Sequence, residues 1–194
     1  MDSGQRMDTS RIFRFERTSI QGLALIYPPI FQDNRGYYTK RYDKRAYMEN
    51  GIDFTPHEEA QSKSQKGVIR GMHFQVDHPQ AKLVRIAKGE AFDVAIDLRF
   101  GSPTFGKWQG FYLSEENRAL LYIPAGFAHG LMALEDDTLL CYASGDVYSP
   151  ETDGGIRWDD PDIGIQWPLE LVPKPILSEK DRKLPTLREY LKLV

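Results

Sequence analysis

Period-two alternation of large apolar residues with small or polar ones constrains this chain most. In Ala91-Phe92-Asp93-Val94-Ala95-Ile96-Asp97-Leu98, the side chains of Phe92, Val94, Ile96 and Leu98 share one face, and Ala91, Asp93, Ala95 and Asp97 share the other. That is the spacing of a pleated strand, since a helix repeats its faces every 3.6 residues or about that. Residues 83–87 read as a strand feeding it through the turn Lys88-Gly89-Glu90, which predicts a hairpin. Residues 108–113 and 119–123 predict two more short strands. Residues 131–134 and 138–142 predict a second hairpin across the acidic turn Glu135-Asp136-Asp137. Helical spacing is confined to the edges, at residues 42–50 and 186–193.

Short strands punctuated by Gly, Pro and Asp predict an all-β sandwich or barrel. A cupin-type jelly-roll barrel with short peripheral helices fits best, with room for a small ligand at one mouth. The length of 194 residues supports one domain with its own core. The expectation is a single domain over residues 11–194 behind a flexible N-terminal tail, residues 1–10. No repeat or linker divides the chain.

Basic residues number 25 and acidic ones 28, interleaved, for a net charge of -3. No basic stripe marks a nucleic-acid partner, so any anion site must be local. Cys141 is the one cysteine, which excludes a disulfide within the chain and points to a reducing compartment. It lies in the apolar run Leu139-Leu140-Cys141-Tyr142 and reads as a packed strand residue, not a nucleophile. No apolar run has the length of a membrane span, and Met-Asp-Ser-Gly-Gln-Arg-Met lacks the apolar core of a signal peptide. A cytoplasmic protein without membrane association is expected.

The chemistry concentrates in Val68-Ile69-Arg70-Gly71-Met72-His73-Phe74-Gln75 and, past a loop, Gln80-Ala81-Lys82. These segments read as two neighbouring strands carrying Arg70, His73 and Lys82. A base and two cations suit an anionic substrate that loses a proton beside a carbonyl, because that reaction needs a base and a place for enolate charge. By alternation His73 points with Ile69, Gly71 and Gln75, away from Met72 and Phe74. Alone it would read as a core histidine bonded to backbone; Arg70 and Lys82 tip it toward function. His57 and His78 lie in polar segments and read as surface residues. His129 ends the loop Ile123-Pro124-Ala125-Gly126-Phe127-Ala128-His129-Gly130, equally a site wall or a turn cap. Tyr142 reads as a core tyrosine with a wet hydroxyl, or as an acid or base. Asp181 reads as a helix cap or exposed acid, or as a carboxylate that bonds one ring nitrogen of His73 and makes the other a better base. No His-x-His occurs, and Gln75 stands two residues after His73, so no catalytic metal is expected.

These motifs, with Asp33-Asn34-Arg35-Gly36-Tyr37, Gly101-Ser102-Pro103-Thr104-Phe105-Gly106 and Ile156-Arg157-Trp158-Asp159-Asp160-Pro161, resemble the dTDP-4-dehydrorhamnose 3,5-epimerases. The resemblance runs from about residue 20 to residue 181. It implies a cofactor-independent isomerase of deoxysugar and polysaccharide biosynthesis, lipopolysaccharide included, acting on a nucleotide-linked 4-keto sugar. It implies that His73 is the base, paired with Asp181, that Lys82 stabilises the enolate, and that Tyr142 returns a proton to the opposite face. Arg70, Arg35, His129 and Lys180 would hold diphosphate and sugar, with Tyr37, Gln75 and Tyr148 as further substrate contacts. A homodimer with exchanged N-terminal strands is implied, Arg35 serving the neighbour's site. The chain departs from the family pattern at Lys40, at Glu58-Glu59-Ala60, at Ala143 and at Val147-Tyr148, which leads us to expect a different nucleotide or sugar. Alternatives are a single-centre epimerase or a ketoisomerase, and, from another class, a non-catalytic sugar-nucleotide-binding barrel.

Overall fold

The structure is a computed structural model that describes residues 12–172 and 174–192; the expected tail, residues 1–10, lies outside the described residues. In chain order the elements are β1 (Arg14–Arg17), β2 (Ala24–Tyr27), β3 (Ile30–Asp33), β4 (Gly36–Thr39), α1 (Lys44–Glu49), β5 (Glu58–Ser64), β6 (Ile69–Gln75) and β7 (Lys82–Lys88). There follow β8 (Glu90–Asp97), β9 (Trp108–Ser114), β10 (Leu120–Ile123), β11 (Phe127–Ala133), β12 (Thr138–Ser144), β13 (Asp153–Gly155), α2 (Glu179–Arg182) and α3 (Leu187–Tyr190). Six strands form one sheet in the order β1-β2-β10-β7-β12-β5, and five form a second in the order β13-β6-β11-β8-β9; β3 and β4 pair separately. The two large sheets make the cupin-like jelly roll.

Both faces of β8 are buried, and each has its own partner. Phe92, Val94 and Ile96 pack outward with Met72, Ile156 and Trp167 under the C-terminal segment. Ala91 and Ala95 turn inward to Val84, Leu121 and Leu140 of the opposite sheet. On the far side of the six-stranded sheet, Tyr47 of α1 packs with Phe54, Leu83 and Tyr122. Small residues inside and large ones outside thus let the two sheets approach. Each fully buried large apolar side chain contributes about 1.5–3 kcal/mol.

The two expected hairpins do not form. β7 and β8 lie in different sheets, as do β11 and β12, so Lys88-Gly89-Glu90 and Glu135-Asp136-Asp137 are corners that carry the chain across the barrel. A strand that is apolar on both faces needs a facing sheet as well as a neighbour, and alternation within one strand cannot say which the next strand supplies. Gly89 has φ +75° at its corner, and a Cβ there would lie 2.8 Å from Thr138 Oγ1. By the same topology β6 and β7 are not neighbours: Arg70 and His73 stand on one sheet and Lys82 on the other.

The helices obey local rules. Asp43 caps α1 by accepting from the Ala46 N–H, and Thr186 with Glu189 forms a capping box on α3. The α3 helix is shorter than residues 186–193 suggest. Ser178 caps α2, accepting from the Asp181 N–H, which fixes Asp181 against β6. No helix among the described residues is long and apolar enough to cross a membrane.

Candidate active site

A cavity of about 540 Å³ opens between the sheets, and His73, Lys82, His129, Tyr142, Lys180 and Asp181 are among the residues that line it. His73 and His129 stand on the five-stranded wall, Lys82 and Tyr142 on the six-stranded wall. Imidazole and phenol therefore approach the cavity from opposite sides.

Arg70 reaches the same cavity through a bulge. In the pairing of β6 with β11, His73 stands opposite His129 but Arg70 opposite Leu131, so three steps on β6 match two on β11. Strict alternation would turn Arg70 away from His73; the bulge brings both to one cavity. Gly71 makes it feasible, with φ +126°, and a Cβ there would meet Gly130 Cα at 2.5 Å. Arg70 is exposed at the mouth, where its Nε donates to Ser64 Oγ at 3.0 Å and its guanidinium to the Lys63 carbonyl at 3.2 Å.

His73 Nε2 lies 2.7 Å from Asp181 Oδ1, and Asp181 is 4% exposed. A carboxylate acceptor assigns the proton to Nε2 and leaves the lone pair on Nδ1. Burial pulls the His73 pKa below its ordinary value, and the hydrogen bond to Asp181 opposes this without reversing it. The imidazole is thus neutral near pH 7, oriented, and able to accept a proton. Burial also lowers the Lys82 pKa, opposed by the charges of Asp153 and Asp93.

His129 is on a strand, not at a loop end as expected, and it is neither a turn cap nor exposed. Its Nε2 lies 3.0 Å from both oxygens of Asp93, which is fully buried. Sequence reasoning missed this second His–Asp pair. Its trace in the sequence was an acid between Phe92 and Val94 in the middle of β8, whose other acids, Glu90 and Asp97, stand at the strand's ends. A third acid, Asp153, was also missed. Its Oδ2 accepts from the Tyr148 hydroxyl at 2.8 Å and pairs with Lys180 Nζ.

Several expected site residues lie elsewhere. Gln75 does not line the cavity: its amide nitrogen donates to the carbonyls of His78 and Val147 at 2.9 and 3.2 Å, and its oxygen accepts from the Ser149 N–H at 2.8 Å. Three of the amide's four hydrogen-bonding directions pin the neighbouring loops, leaving one lone pair of the oxygen. Tyr148 is exposed, and its hydroxyl donates to Asp153. Arg35 and Tyr37 sit on the β3–β4 hairpin, away from this chain's cavity: the Arg35 guanidinium pairs with Asp33 at 2.5 Å, and Arg118 lies 4.3 Å over the Tyr37 ring. His57 and His78 are exposed. Cys141 is half-buried on β12 and lines a second cavity of about 590 Å³ outside the six-stranded sheet, together with Glu58, Glu59 and Ala143. Two of the four departures from the family pattern, at Glu58-Glu59 and at Ala143, thus face that second cavity, while Lys40 is held by Asp43 at 3.1 Å. Among the described residues no group of three or more His, Cys, Asp or Glu side chains is placed to hold a metal ion.

The facing sheets and the cavity between them are those of a cupin-like jelly roll, and its relatives make it an isomerase. The family model for dTDP-4-dehydrorhamnose 3,5-epimerase matches residues 17–189. The dTDP-4-dehydrorhamnose 3,5-epimerase of Methanothermobacter thermautotrophicus is 50% identical over 177 residues, 91% of this chain and 96% of the relative. The dTDP-6-deoxy-D-glucose-3,5-epimerase of Legionella pneumophila, solved in complex with dTDP-4-keto-L-rhamnose, superposes with TM-score 0.87 at 41% identity, covering 91% of this chain and 93% of the other. A 3'-monoepimerase from Streptomyces bikiniensis, in complex with dTDP-quinovose, gives TM-score 0.84 at 32% identity over 92% and 91%. The chain belongs to the dTDP-4-dehydrorhamnose 3,5-epimerase family and is a sugar-nucleotide epimerase.

Proposed function

We propose that this protein inverts carbon 3 and carbon 5 of a dTDP-linked 4-keto-6-deoxy sugar. The observation that carries the reading is the division of the cavity, with His73 and Asp181 on one wall and Lys82 and Tyr142 on the other. The ketone at carbon 4 acidifies the neighbouring hydrogens. His73 takes one through its unbonded nitrogen, while Asp181 steadies the imidazolium that forms. Charge moves to the ketone oxygen beside Lys82, where a cation in a dry site supplies several kcal/mol, roughly as an oxyanion donor does. Tyr142 then delivers a proton from the opposite side, and the centre inverts. Arg70 and Lys180 at the mouth hold the diphosphate, and His129, locked by Asp93, holds the sugar. The reaction needs no cofactor.

A second reading is inversion at one carbon only, favoured by the likeness to the 3'-monoepimerase. Incubation with dTDP-4-keto-6-deoxyglucose in deuterated buffer separates them. Label at both carbons supports double inversion, and label at carbon 3 alone supports the second reading. A carbonyl moved along the ring would mean a ketoisomerase. Binding without exchange would leave a sugar-nucleotide-binding barrel. The His73→Ala variant should lose turnover about a hundredfold or more, the scale of general-base catalysis.

The relatives named for dTDP support that nucleotide. Calorimetric titration with dTDP, GDP, CDP and UDP tests it, and a preference for another would revive the expectation raised by Lys40 and Glu58. We propose a homodimer in which the β3–β4 hairpin is exchanged, so that Arg35 and Tyr37 complete the neighbour's site. Support comes from the exposed Ile30, Tyr37 and Tyr38 on that hairpin and from β5, an exposed edge strand. Sedimentation at varied concentration checks it; a monomer at micromolar levels would reject it. We further propose a cytoplasmic location, which the single cysteine supports through the reducing compartment it implies.

A further inference from the structure

Three segments meet on one carboxylate at the cavity mouth. The Tyr148 hydroxyl donates to Asp153 Oδ2 at 2.8 Å, and the Lys180 ammonium pairs with the same oxygen. The anchor is inside and its two guests are outside: the Asp153 side chain is 12% exposed and that of Lys180 53%, and Tyr148 is 54% exposed. Asp153 starts β13, which pairs with β6 so that Gly155 stands opposite His73. Its backbone is therefore bound to the strand that carries the proposed base. A carboxylate placed this way restrains two long side chains that would otherwise sample many rotamers.

We infer that Asp153 is a positioning residue, which holds Lys180 and Tyr148 at the mouth and supplies negative charge to His73 and Lys82 within. The inference rests on the proposed proton-transfer reading of the cavity. Burial pushes His73 and Lys82 toward their neutral forms, and the charge of Asp153 opposes it at both. For Lys82 the acids that oppose burial are Asp153 and Asp93, and Asp93 is shared with His129. For His73 the opposing charges are Asp181 and Asp153, while Lys180 acts the other way. The remaining ionisable groups that face this space are Arg70 from β6 and Tyr142 from β12. Burial works against the charge of Asp153 itself, but its bonds from Lys180 and Tyr148 outweigh burial and hold its carboxyl below the usual range. It is therefore charged near pH 7.

The sign of the effect separates this role from a merely structural one. In Asp153→Asn the size remains and the amide oxygen still accepts from Tyr148, but the charge is gone. His73 should then protonate only at lower pH, and Lys82 should lose its proton at lower pH. Both limbs of the kcat profile move toward acid together. The full-length protein, wild type and variant, is titrated by NMR of labelled histidine, with His73→Gln identifying the signal. The His73 midpoint should fall by about one pH unit, the scale of one neighbouring charge. Lys180→Met, which leaves Asp153 unneutralised, should move it the opposite way, and Asp153→Glu should restore it toward wild type. An unmoved His73 midpoint in Asp153→Asn overturns the inference, whatever Lys180→Met does. If Asp153→Asn does not fold, Asp153→Ser is titrated in its place, with the same direction of shift expected. The NMR arm needs no turnover, so a wild-type chain that fails to epimerise sinks the functional reading and leaves the test of Asp153 intact.

Discussion

The two walls of the cavity are built differently. On the five-stranded wall each histidine is bonded to a buried carboxylate, His73 to Asp181 at 2.7 Å and His129 to Asp93 at 3.0 Å. On the six-stranded wall Lys82 and Tyr142 have no hydrogen-bonded or ion-paired side-chain partner among the described residues. The first wall fixes ring orientation and tautomer, as a proton acceptor requires. The second leaves its hydrogen-bonding capacity for a ligand, and the charges of Asp153 and Asp93 only partly offset the burial that lowers the Lys82 pKa. A direct carboxylate on Lys82 would neutralise the charge that an enolate needs.

The contrast can be broken most severely at Lys82. Lys82→Met should lower kcat by about a hundred- to a thousandfold, the cost of one oxyanion donor, with a smaller change in dTDP affinity by calorimetry. An equal loss in both would move Lys82 from the reaction to binding. Tyr142→Phe should show the asymmetry of the walls directly. Inversion is lost about tenfold or more, while solvent deuterium still enters the substrate through His73. Loss of exchange together with inversion would mean that the phenol, not the imidazole, removes the proton.

The pH dependence sharpens the same point. Because burial depresses the His73 pKa, kcat/KM should hold below the ordinary histidine value and fall only on further acidification, as His73 takes up its proton. A fall beginning above pH 7 would contradict a desolvated imidazole. The stability sign agrees: a histidine harder to protonate when folded stabilises the native state above its unfolded pKa and loses that contribution as pH drops toward the folded value. The smallest effect belongs to Gln75. Gln75→Ala should cost about 1–3 kcal/mol from lost buried hydrogen bonds, visible as a lower Tm, with kcat within about a factor of a few of wild type. A selective rise in KM would return Gln75 to the substrate.

Strand positions were legible from alternation because each strand carries its own period-two pattern, as β8 shows. Their partners were not. The corner at Gly89 looks like a hairpin turn in sequence, and only the need to cover both faces of β8 sends the chain across. Arg70 shows the same limit within one strand: the bulge at Gly71 reverses the face that counting assigns. His73 and Lys82 were legible as chemistry because their segments carry recognisable motifs, and Tyr142 and Asp181 only through what the resemblance implied. The pairs His129–Asp93 and Lys180–Asp153 were not, since each joins separate segments with no local spacing to announce it.

By itself the sequence determined that this chain forms strands, that it carries an imidazole, an ammonium, a phenol and a carboxylate in recognisable settings, and to which family it is similar. The tertiary structure alone decided that His73 and Tyr142 stand on opposing walls, that Asp93 bonds His129 and that Asp153 bonds Tyr148 and Lys180. The reason is that side-chain period is a property of one strand, whereas facing, burial and charge balance are properties of two sheets packed together.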